Sequence, residues 1–518
     1  MGAVLAGQGV LPYRIEEEPS DSGMTALGGL PAYLDLASVL GLREAIERLI
    51  PVDRGGQGWC CWQLVLQLVL LKIAGGDCVA DLERLNADSG FGRVLQRVEL
   101  HGLKRRERRE IERRWRKERK QNVASPSAAF RFLEDFHDPE QEKQRRPGVA
   151  FIPAPNAALQ GMFRTNGHLL AGVQARQPQA VATLDMDATL AETHKAEALY
   201  CYKKYKAYQP LNVYWFEQGL IVYSEFRDGN VPAGYGGLPV LKEALKHLPP
   251  GVETVRLRCD TAGYDHELLR YCARGENERF GVIEFSVGAD ITPEFKKEVQ
   301  RQPEGRWQRL RHRNAEGEWV ETGKEYLEVP YVPNAIAHRL SDPEYRYLAL
   351  REVLPQATLP GMESQQPVLP FPTLVMAGKT YKLHAICSNN WQMSAEELVA
   401  WNYERCGKSE EAQGVLKEDF AGGKFPSGDF GENAAWWWTS VLAMNLNEAM
   451  KRLVLRRVDG SWVTKRIKAV RFALVHLPGR VFERSKNLYL RFSKGHPGYA
   501  LMEEIRRIIA GLQPMPAG

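Results

Sequence analysis

The amino-acid sequence predicts an α/β fold in which a helical N-terminal domain precedes a β-sheet core. Apolar residues recur at helical spacing from residue 32 to residue 98, and strand-like runs begin after residue 180. Two of these runs end on an aspartate. At 518 residues the chain is too long for one core, so several domains are expected.

Composition argues against two classes of protein. The apolar stretch at residues 64–71, which Gln67 interrupts, is far shorter than the ~18 residues of a membrane span, and no secretory signal is recognisable. The eight cysteines form no CxxC pair, which argues against a zinc site or a disulfide framework. We therefore expect a cytoplasmic protein with reduced thiols and no membrane contact.

The N-terminal part contains a strongly basic run. Residues 1–25 are rich in Gly, Pro, Ser and Glu and are expected to be a loose tail, and residues 26–150 to form the helical domain. Within it, residues 104–120 hold eleven Lys or Arg against four Glu. Such a run is typical of a polyanion-binding surface, with candidate contacts at Arg105, Arg106, Arg108 and Arg109. A solvated helix with Glu–Arg pairs one turn apart has the same composition.

A helix start follows the basic run. Ser125 is a favourable cap and Pro126 is favourable in the first turn. This order of elements, in which a basic connector joins a helix to a second, capped helix, would suit a DNA-binding domain of the helix-turn-helix type. A plain helical packing domain is the alternative.

Residues 175–291 are predicted to form the first part of the core. The expected order is β-β-β-α-β-α-β, with strands at residues 181–187, 211–216, 220–226, 255–260 and 280–285 and helices at 238–248 and 266–273. Three antiparallel strands followed by βα units is the order of a ribonuclease-H-like fold. In that fold the first and fourth strands lie side by side, which would place Asp187 next to Asp260.

The rest of the chain divides into an insertion, a second part of the core and a C-terminal region. Residues 292–390 are strand-like with hairpin signals near Asn314 and Gly378, which predicts a β-rich insertion. Residues 391–453 are expected to be helical, over 394–416 and 433–453. Residues 454–518 are expected to hold a β-hairpin at 457–462 and a final helix at 503–512.

Three acidic residues are candidates for catalysis. Asp187 and Asp260 end two predicted strands, and Glu410 lies in the predicted helix 394–416. Carboxylates are oxygen ligands suited to Mg²⁺, and two such ions roughly 4 Å apart serve phosphoryl transfer. Asp185 shares a side of the strand with Asp187 and is an alternative first ligand. Turn formation is the competing interpretation of a strand-terminal aspartate.

The predicted helix 394–416 and its extension carry a stripe of functional side chains. Tyr403, Glu410 and Lys417 are spaced by seven residues, so a continuous helix would place all three on one face. This face would combine a metal-ligating carboxylate with a cation suited to phosphate. Glu411 would point about 100° away, which favours Glu410.

Several short motifs resemble those of the DDE transposases of bacterial insertion sequences, most closely the thirteen-eighty group. The first acidic block of these enzymes is similar to residues 184–189 (LDMDAT), 205–210 (YKAYQP) and 227–230 (RDGN). The second block is similar to residues 258–264 (RCDTAGY). The Tyr/Arg/Glu/Lys signature around the third acid and the helix after it are similar to residues 403–417, 433–437 and 443–446.

The resemblance implies a mechanism and partners. Asp187, Asp260 and Glu410 would hold two Mg²⁺ ions, with Mn²⁺ as a substitute. The enzyme would cut DNA at transposon ends and transfer the freed 3′-hydroxyl into target DNA. Its partner would be double-stranded DNA, bound by a homodimer at the nucleoid in the bacterial cytoplasm. Tyr403 and Lys417 would hold the terminal strand.

One position departs from the family signature, which has an Arg three residues after the Tyr. Here that position is Cys406, and Arg405 stands one residue earlier as a candidate DNA contact on a different face. Two alternatives remain for the function. A metal-dependent nuclease or resolvase on the same fold would cut without joining, and a non-catalytic DNA-binding protein would do neither.

Overall fold

The computed structural model describes residues 22–53, 58–114, 121–314, 316–333, 343–354 and 371–512. Most of the expected tail, the end of the basic run (115–120) and residues 355–370 of the predicted insertion lie outside these residues. The last part of the expected tail is structured, because Met24–Thr25 forms strand β1 and pairs with a C-terminal strand at Gly479 and Arg480. The prediction of a loose tail is therefore wrong for these two residues.

The N-terminal domain is helical, as predicted. Ser125 caps its helix as expected, since the hydroxyl oxygen accepts a hydrogen bond from the Ala128 amide. The helices are α1 (Pro31–Val39), α2 (Leu42–Leu49), α3 (Cys61–Ala74), α4 (Leu82–Ala87), α5 (Ser89–Glu99), α6 (Arg105–Arg114), α7 (Pro126–Glu134), α8 (Pro139–Glu142) and α9 (Ala157–Gln174).

The basic run is helical over its described part. The prediction of a basic connector is therefore wrong for α6, where the Lys104 amide donates to the Glu107 carboxylate and so begins the helix. Ile111 is buried and anchors α6 to the domain. The side chains exposed on this helix include Arg105, Arg106, Arg108 and Arg109.

The long strands and the two helices of the first part of the core follow the predicted order, but two short strands that were not predicted follow the first one, and the last strand begins four residues later than predicted. The elements of this part are β2 (Val181–Ala188), β3 (Ala191–Glu192), β4 (Ala207–Tyr208), β5 (Leu211–Trp215), β6 (Leu220–Glu225), α10 (Gly237–His247), β7 (Thr254–Cys259), α11 (His266–Arg274) and β8 (Glu284–Gly288). Strand β5 is antiparallel to both β2 and β6, and β7 is parallel to both β2 and β8. The predicted pairing of the first and fourth long strands is confirmed, with Met186 opposite Cys259.

The β-rich insertion continues the core sheet. Its elements are α12 (Pro293–Arg301), β9 (Gln308–Arg313), β10 (Trp319–Val329), β11 (Arg346–Val353), β12 (Thr373–Met376) and β13 (Lys379–Ser388). Strand β13 pairs antiparallel with β8, which places Cys387 opposite Val287. The order β6-β5-β2-β7-β8-β13-β11-β10-β9 therefore forms one mixed sheet, with β12 paired to β13. Both predicted hairpins, β9–β10 and β12–β13, are present.

The C-terminal third differs from prediction in two places. The expected continuous helix 394–416 is broken, because Cys406 has ψ 128° and Gly407 has φ 97°, a value that favours glycine. The expected β-hairpin at 457–462 is helical, since the Asp459 carboxylate accepts from the Ser461 amide and starts a 3₁₀ turn. The final helix is confirmed. The elements are α13 (Ala395–Tyr403), α14 (Arg405–Gly414), α15 (Phe430–Ala449), α16 (Arg456–Val458), α17 (Ile467–Val470), β14 (Gly479–Arg484), β15 (Asn487–Arg491) and α18 (Pro497–Ala510).

Helix α15 lies at the centre of the molecule. It packs against α3, α7 and α9 of the N-terminal domain and against β6 of the core sheet. Its side chains Trp436, Trp437 and Trp438 are fully buried, and one continuous apolar cluster extends from the N-terminal helices to α18. The N-terminal domain and the core therefore share one hydrophobic interior.

Among the described residues, no single helix has the length and apolar character needed to cross a membrane. By length and composition alone, one pair of helices bent by 93°, Cys61–Ala74 with Val79–Ala87, would meet the same criterion.

Asn445 of α15 joins three elements by buried hydrogen bonds. Its carbonyl oxygen accepts from the Ile221 amide at 2.9 Å, and its amide group donates to Asn166 at 2.7 Å. We expect Asn445→Ala to lower the free energy of unfolding by about 3 kcal/mol, because buried polar groups lose their partners. Chemical denaturation measures this loss, with the exposed Asn487→Ala as control. Equal stabilities of the two variants would contradict this description of the core.

Candidate active site

The sheet brings two of the predicted acids together. The parallel register of β2 and β7 ends with Met186 opposite Cys259, and Asp187 and Asp260 are the next residue on each strand. Neighbouring strands lie about 4.8 Å apart, so the two carboxylates meet at one edge of the sheet. Both side chains line the same small cavity beneath the start of α10 and α11.

Asp187 has an unusual electrostatic environment. Burial raises the pKa of its carboxyl group to about 6, and the Asp260 and Glu410 carboxylates add to the rise. The Arg405 guanidinium and a hydrogen bond from Gln413 act in the opposite direction. Because the pKa is raised, the charged form of Asp187 is disfavoured in the folded protein, and a cation at this edge would relieve that cost.

Asp260 forms a turn, as the competing interpretation of a strand-terminal aspartate predicts, and its carboxylate also lies beside Asp187. One of its carboxylate oxygens accepts a hydrogen bond from the Ala262 amide at 3.0 Å and caps the 3₁₀ turn Thr261–Gly263. Turn formation is therefore real at this position. A carboxylate has about four lone-pair sites, so a single capping bond leaves room for a further ligand.

Glu410 lies on α14, beyond the break at Cys406 and Gly407. Its side chain is exposed, and it is close enough to Asp187 to raise the pKa of that group. Within the described part of the chain, no group of three His, Cys, Asp or Glu side chains is gathered as a metal-binding cluster. The structure thus brings Asp187 and Asp260 together and holds Glu410 in electrostatic range of Asp187, without a closed cage.

Asp185, the alternative first ligand, is occupied by a different partner. Arg258 of β7 donates to both of its carboxylate oxygens, at 2.7 and 3.0 Å, and both side chains are fully buried. Arg258 also donates to the Trp401 carbonyl oxygen at 2.7 Å. Asp185 therefore holds two strands and a helix together, and Asp187 is the acid that faces the cavity.

The predicted stripe on one helix face is wrong, because the break in the helix separates its members. Tyr403 lines a cavity of about 670 Å³ together with Asp260 and Arg405. Lys417 belongs to a helical turn with π-type hydrogen bonds, and its ammonium donates to the Leu190 carbonyl oxygen at 3.0 Å in a second cavity. Tyr403 therefore shares a cavity with Asp260, Glu410 lies in electrostatic range of Asp187, and Lys417 lies in a different cavity.

Arg405 is directed into the site rather than along an outer surface. It is buried, and its guanidinium contacts the Asp187 carboxylate at 3.3 Å. Its Nε has no hydrogen-bond partner among the residues that the structure describes. The sequence alone predicts Arg405 as a DNA contact on an unassigned face of a regular helix. The structure makes it the counter-charge of Asp187.

Comparison with known proteins identifies the family of this chain. The family model described as the transposase DDE domain, group 1, matches residues 14–342 and 372–515. The chain belongs to the DDE transposase family. Among curated proteins, none matches the chain in sequence. A solved piggyBac transposase synaptic complex with hairpin DNA is similar at 11% identity and a TM-score of 0.40, over 96% of this chain and 89% of that one.

Family membership also draws attention to a motif whose role the sequence did not reveal. In the RDGN block, Asp228 accepts two hydrogen bonds from Arg145, at 2.7 and 2.8 Å, and both side chains are buried. Asn230 donates to the Val149 carbonyl oxygen at 2.8 Å. The block therefore ties the segment after α8 to the core sheet. Arg145 and Asp228 are far apart in the chain, so no local feature of the sequence predicts their pairing.

Asp185 and Asp187 should respond in opposite ways to the same substitution. Asp185→Asn leaves the buried Arg258 charge without its counter-ion and should cost about 3–5 kcal/mol of unfolding free energy. Asp187→Asn removes a carboxylate whose charged form burial disfavours near neutral pH, so it should raise the free energy of unfolding rather than lower it. Chemical denaturation of both variants at neutral pH measures the difference. Equal losses would show that Asp185 has no special structural role.

Proposed function

We propose that this DDE transposase cuts phosphodiester bonds at transposon ends and joins the freed 3′-hydroxyl to target DNA. The observation that carries the proposal is the pair of carboxylates at the ends of two adjacent parallel strands, with Glu410 in electrostatic range of one of them. The order of strands β6-β5-β2-β7-β8 supports a ribonuclease-H-like core, and the β-rich insertion extends it. The motif resemblance supports a place in the thirteen-eighty group of bacterial insertion sequences.

The chemistry of these residues fits divalent metal ions. The proposed ligands, Asp187, Asp260 and Glu410, offer only oxygen atoms, which Mg²⁺ prefers and Mn²⁺ accepts. The raised pKa of Asp187 supports this assignment, because the Asp260 and Glu410 carboxylates both contribute to the rise. When bound, two such ions activate the attacking oxygen and stabilise the leaving oxygen of phosphoryl transfer.

The protein's own residues have separate roles in this proposal. Asp187 and Asp260 hold their carboxylates in place from two paired strands, and Glu410 approaches from α14. Near neutral pH most Asp187 side chains are ionised, since the pKa is about 6. Arg405 screens the repulsion among the acids and offers donors to a scissile phosphate in the adjoining cavity. No nucleophilic side chain is needed, because water and the DNA 3′-hydroxyl are the attacking groups.

DNA would be bound by the site and by the basic helix. We propose double-stranded DNA as the partner of a homodimer at the bacterial nucleoid. Tyr403 would contact DNA from the cavity beside Asp260, and Lys417 from the second cavity. Helix α6 supports non-specific phosphate contacts through its exposed arginines, Arg105, Arg106, Arg108 and Arg109.

An excision and strand-transfer assay tests the function, with the DNA flanking this gene as donor and Mg²⁺ or Mn²⁺ supplied. Glu410→Gln should lower the rate of cleavage at least about a hundredfold, equivalent to about 2.7 kcal/mol of barrier. Glu411→Gln is a matched control, because it removes the adjacent exposed carboxylate of the same helix and should leave the rate unchanged.

The products separate the candidate functions. Joined products from the wild type and from Glu411→Gln establish a transposase with Glu410 in its site. Cleavage without joining indicates a nuclease or resolvase, and DNA binding without any metal-dependent reaction indicates a binding protein. Equal loss in both variants would remove Glu410 from the proposed ligands.

The contribution of α6 can be read from the salt dependence of DNA binding. Four of its exposed arginines (residues 105, 106, 108 and 109) are replaced by Ala. The slope of log affinity against log salt concentration should become less steep by up to about 3.6, because each phosphate that the helix no longer neutralises removes about 0.9 from it. The control replaces four exposed basic residues of the C-terminal region, Arg484, Lys486, Arg491 and Lys494. An unchanged slope for the α6 variant would mean that the helix is merely solvated.

A further inference from the structure

A narrow hairpin projects from the core between β3 and β4. An isolated β-bridge pairs Tyr200 with Lys206, and the Cys201 amide donates to the Tyr205 carbonyl oxygen at 2.8 Å. The turn closes where the Lys204 amide donates to the Cys201 carbonyl oxygen at 2.9 Å, with Lys204 in the left-handed region at φ 67°. This hairpin tip, residues 200–206, is a regular and hydrogen-bonded element.

The hairpin tip presents two aromatic rings to solvent. Tyr200 is 64% exposed and Tyr202 is 73% exposed, whereas Cys201 between them is buried. Tyr200 lies in the β-bridge and Tyr202 in the turn that follows it, so both rings are exposed at the tip while the buried Cys201 between them anchors it. Aromatic rings usually bury most of their surface, and two neighbouring exposed rings therefore indicate a binding surface.

The charge around these rings is positive. The tip carries three lysines and no acidic residue, and the ammonium groups of Lys203 and Lys206 lie 5.7 and 5.9 Å from the ring centres of Tyr202 and Tyr200. Exposed rings interleaved with lysines are the composition of surfaces that bind nucleic-acid strands, where bases stack and phosphates pair with ammonium groups.

A cavity of about 1040 Å³ lies at the base of the hairpin, between the N-terminal helices and the core. Lys417 and Lys195 line it, and each uses one ammonium proton on a carbonyl oxygen, of Leu190 and of Pro426. Each ammonium group has three donors, so two remain on each for a phosphate. The lining also contains Lys424 and the acids Asp77, Glu192 and Glu418, so the positive balance comes from the hairpin tip.

The hairpin begins close to the candidate active site. Strand β3 starts at Ala191, four residues after Asp187, so the two Cα atoms are at most about 14 Å apart. Lys417 extends this connection, because it is bonded to Leu190, the residue before β3. Leu190, Ala191 and Tyr205 of the hairpin tip all line the cavity, so a strand that leaves the cut phosphodiester can reach the cavity and, through it, the tip.

The exposure of the two rings favours a single strand over a duplex. An aromatic ring stacks on a base that has a free face, as the bases of a single strand have. A base inside a duplex is stacked on both sides and has no free face for a tyrosine. We propose that the hairpin tip and the cavity at its base bind the single-stranded DNA next to the cut phosphodiester. This proposal rests on the proposed function.

Fluorescence anisotropy of the full chain without metal tests the proposal separately from cleavage. The probes are a labelled oligothymidine strand and a labelled duplex of mixed sequence. Tyr200→Ala combined with Tyr202→Ala should weaken binding of the single strand at least about tenfold and leave duplex binding within about twofold. Replacement of both tyrosines by Phe should restore binding, because stacking needs the ring and not the hydroxyl. The control is Tyr489→Ala with Tyr499→Ala, two exposed tyrosines of the C-terminal region.

The outcomes are distinct. Selective loss of single-strand binding with rescue by Phe supports the proposal, even if the cleavage assay fails. Equal weakening on both probes overturns it in favour of a general DNA surface, and unchanged binding on both overturns it outright. A change from dimer to monomer in light scattering, with DNA binding intact, would overturn it in favour of an interface with a second copy. Thermal unfolding of each variant should match the wild type, since the replaced rings are exposed.

Discussion

The parallel pairing of β2 with β7 is the constraint on which the candidate site depends. Parallel strands direct their carboxyl ends to the same edge, which places Asp187 beside Asp260. The register is held by charge, because Arg258 lies opposite Asp185 in the fully buried interior of the pair. A slip of β7 by one residue would turn Asp260 to the other face and leave Arg258 without its counter-ion, so the ion pair selects the register that assembles the acids.

The same arginine connects the sheet to the third acid. Arg258 donates to the Trp401 carbonyl oxygen, which fixes the end of α13 against β7. Arg405 at the start of α14 contacts Asp187, the helix is broken at Cys406 and Gly407, and its remaining part carries Glu410. The break therefore has a consequence for the chemistry: it allows a cation to reach the strand-end acids and still keeps Glu410 within electrostatic range of Asp187. A straight helix rotates by about 100° per residue, so it would place Arg405 and Glu410, which are five residues apart, on different faces.

Local and periodic features of the sequence were sufficient for much of this arrangement. Alternating apolar residues predicted the strands, and their order predicted that Asp187 and Asp260 would be neighbours. The prediction of a continuous helix 394–416 is wrong because Gly407 takes a left-handed φ of 97°, which the seven-residue spacing of Tyr403, Glu410 and Lys417 does not signal. The hairpin at 457–462 was wrong because Asp459 caps a helical turn. The partner of Arg405 depends on elements more than two hundred residues apart, and no single sequence reveals such a contact.

We propose that Asp187, Asp260 and Glu410 together hold divalent metal for DNA cleavage. The decisive test is anomalous diffraction at the manganese absorption edge from crystals of the protein with its DNA end and Mn²⁺. We expect anomalous peaks where β2 and β7 end, bounded by all three carboxylates. Manganese held by the two aspartates with Glu410 directed to solvent, or no manganese where these two strands end, would contradict it.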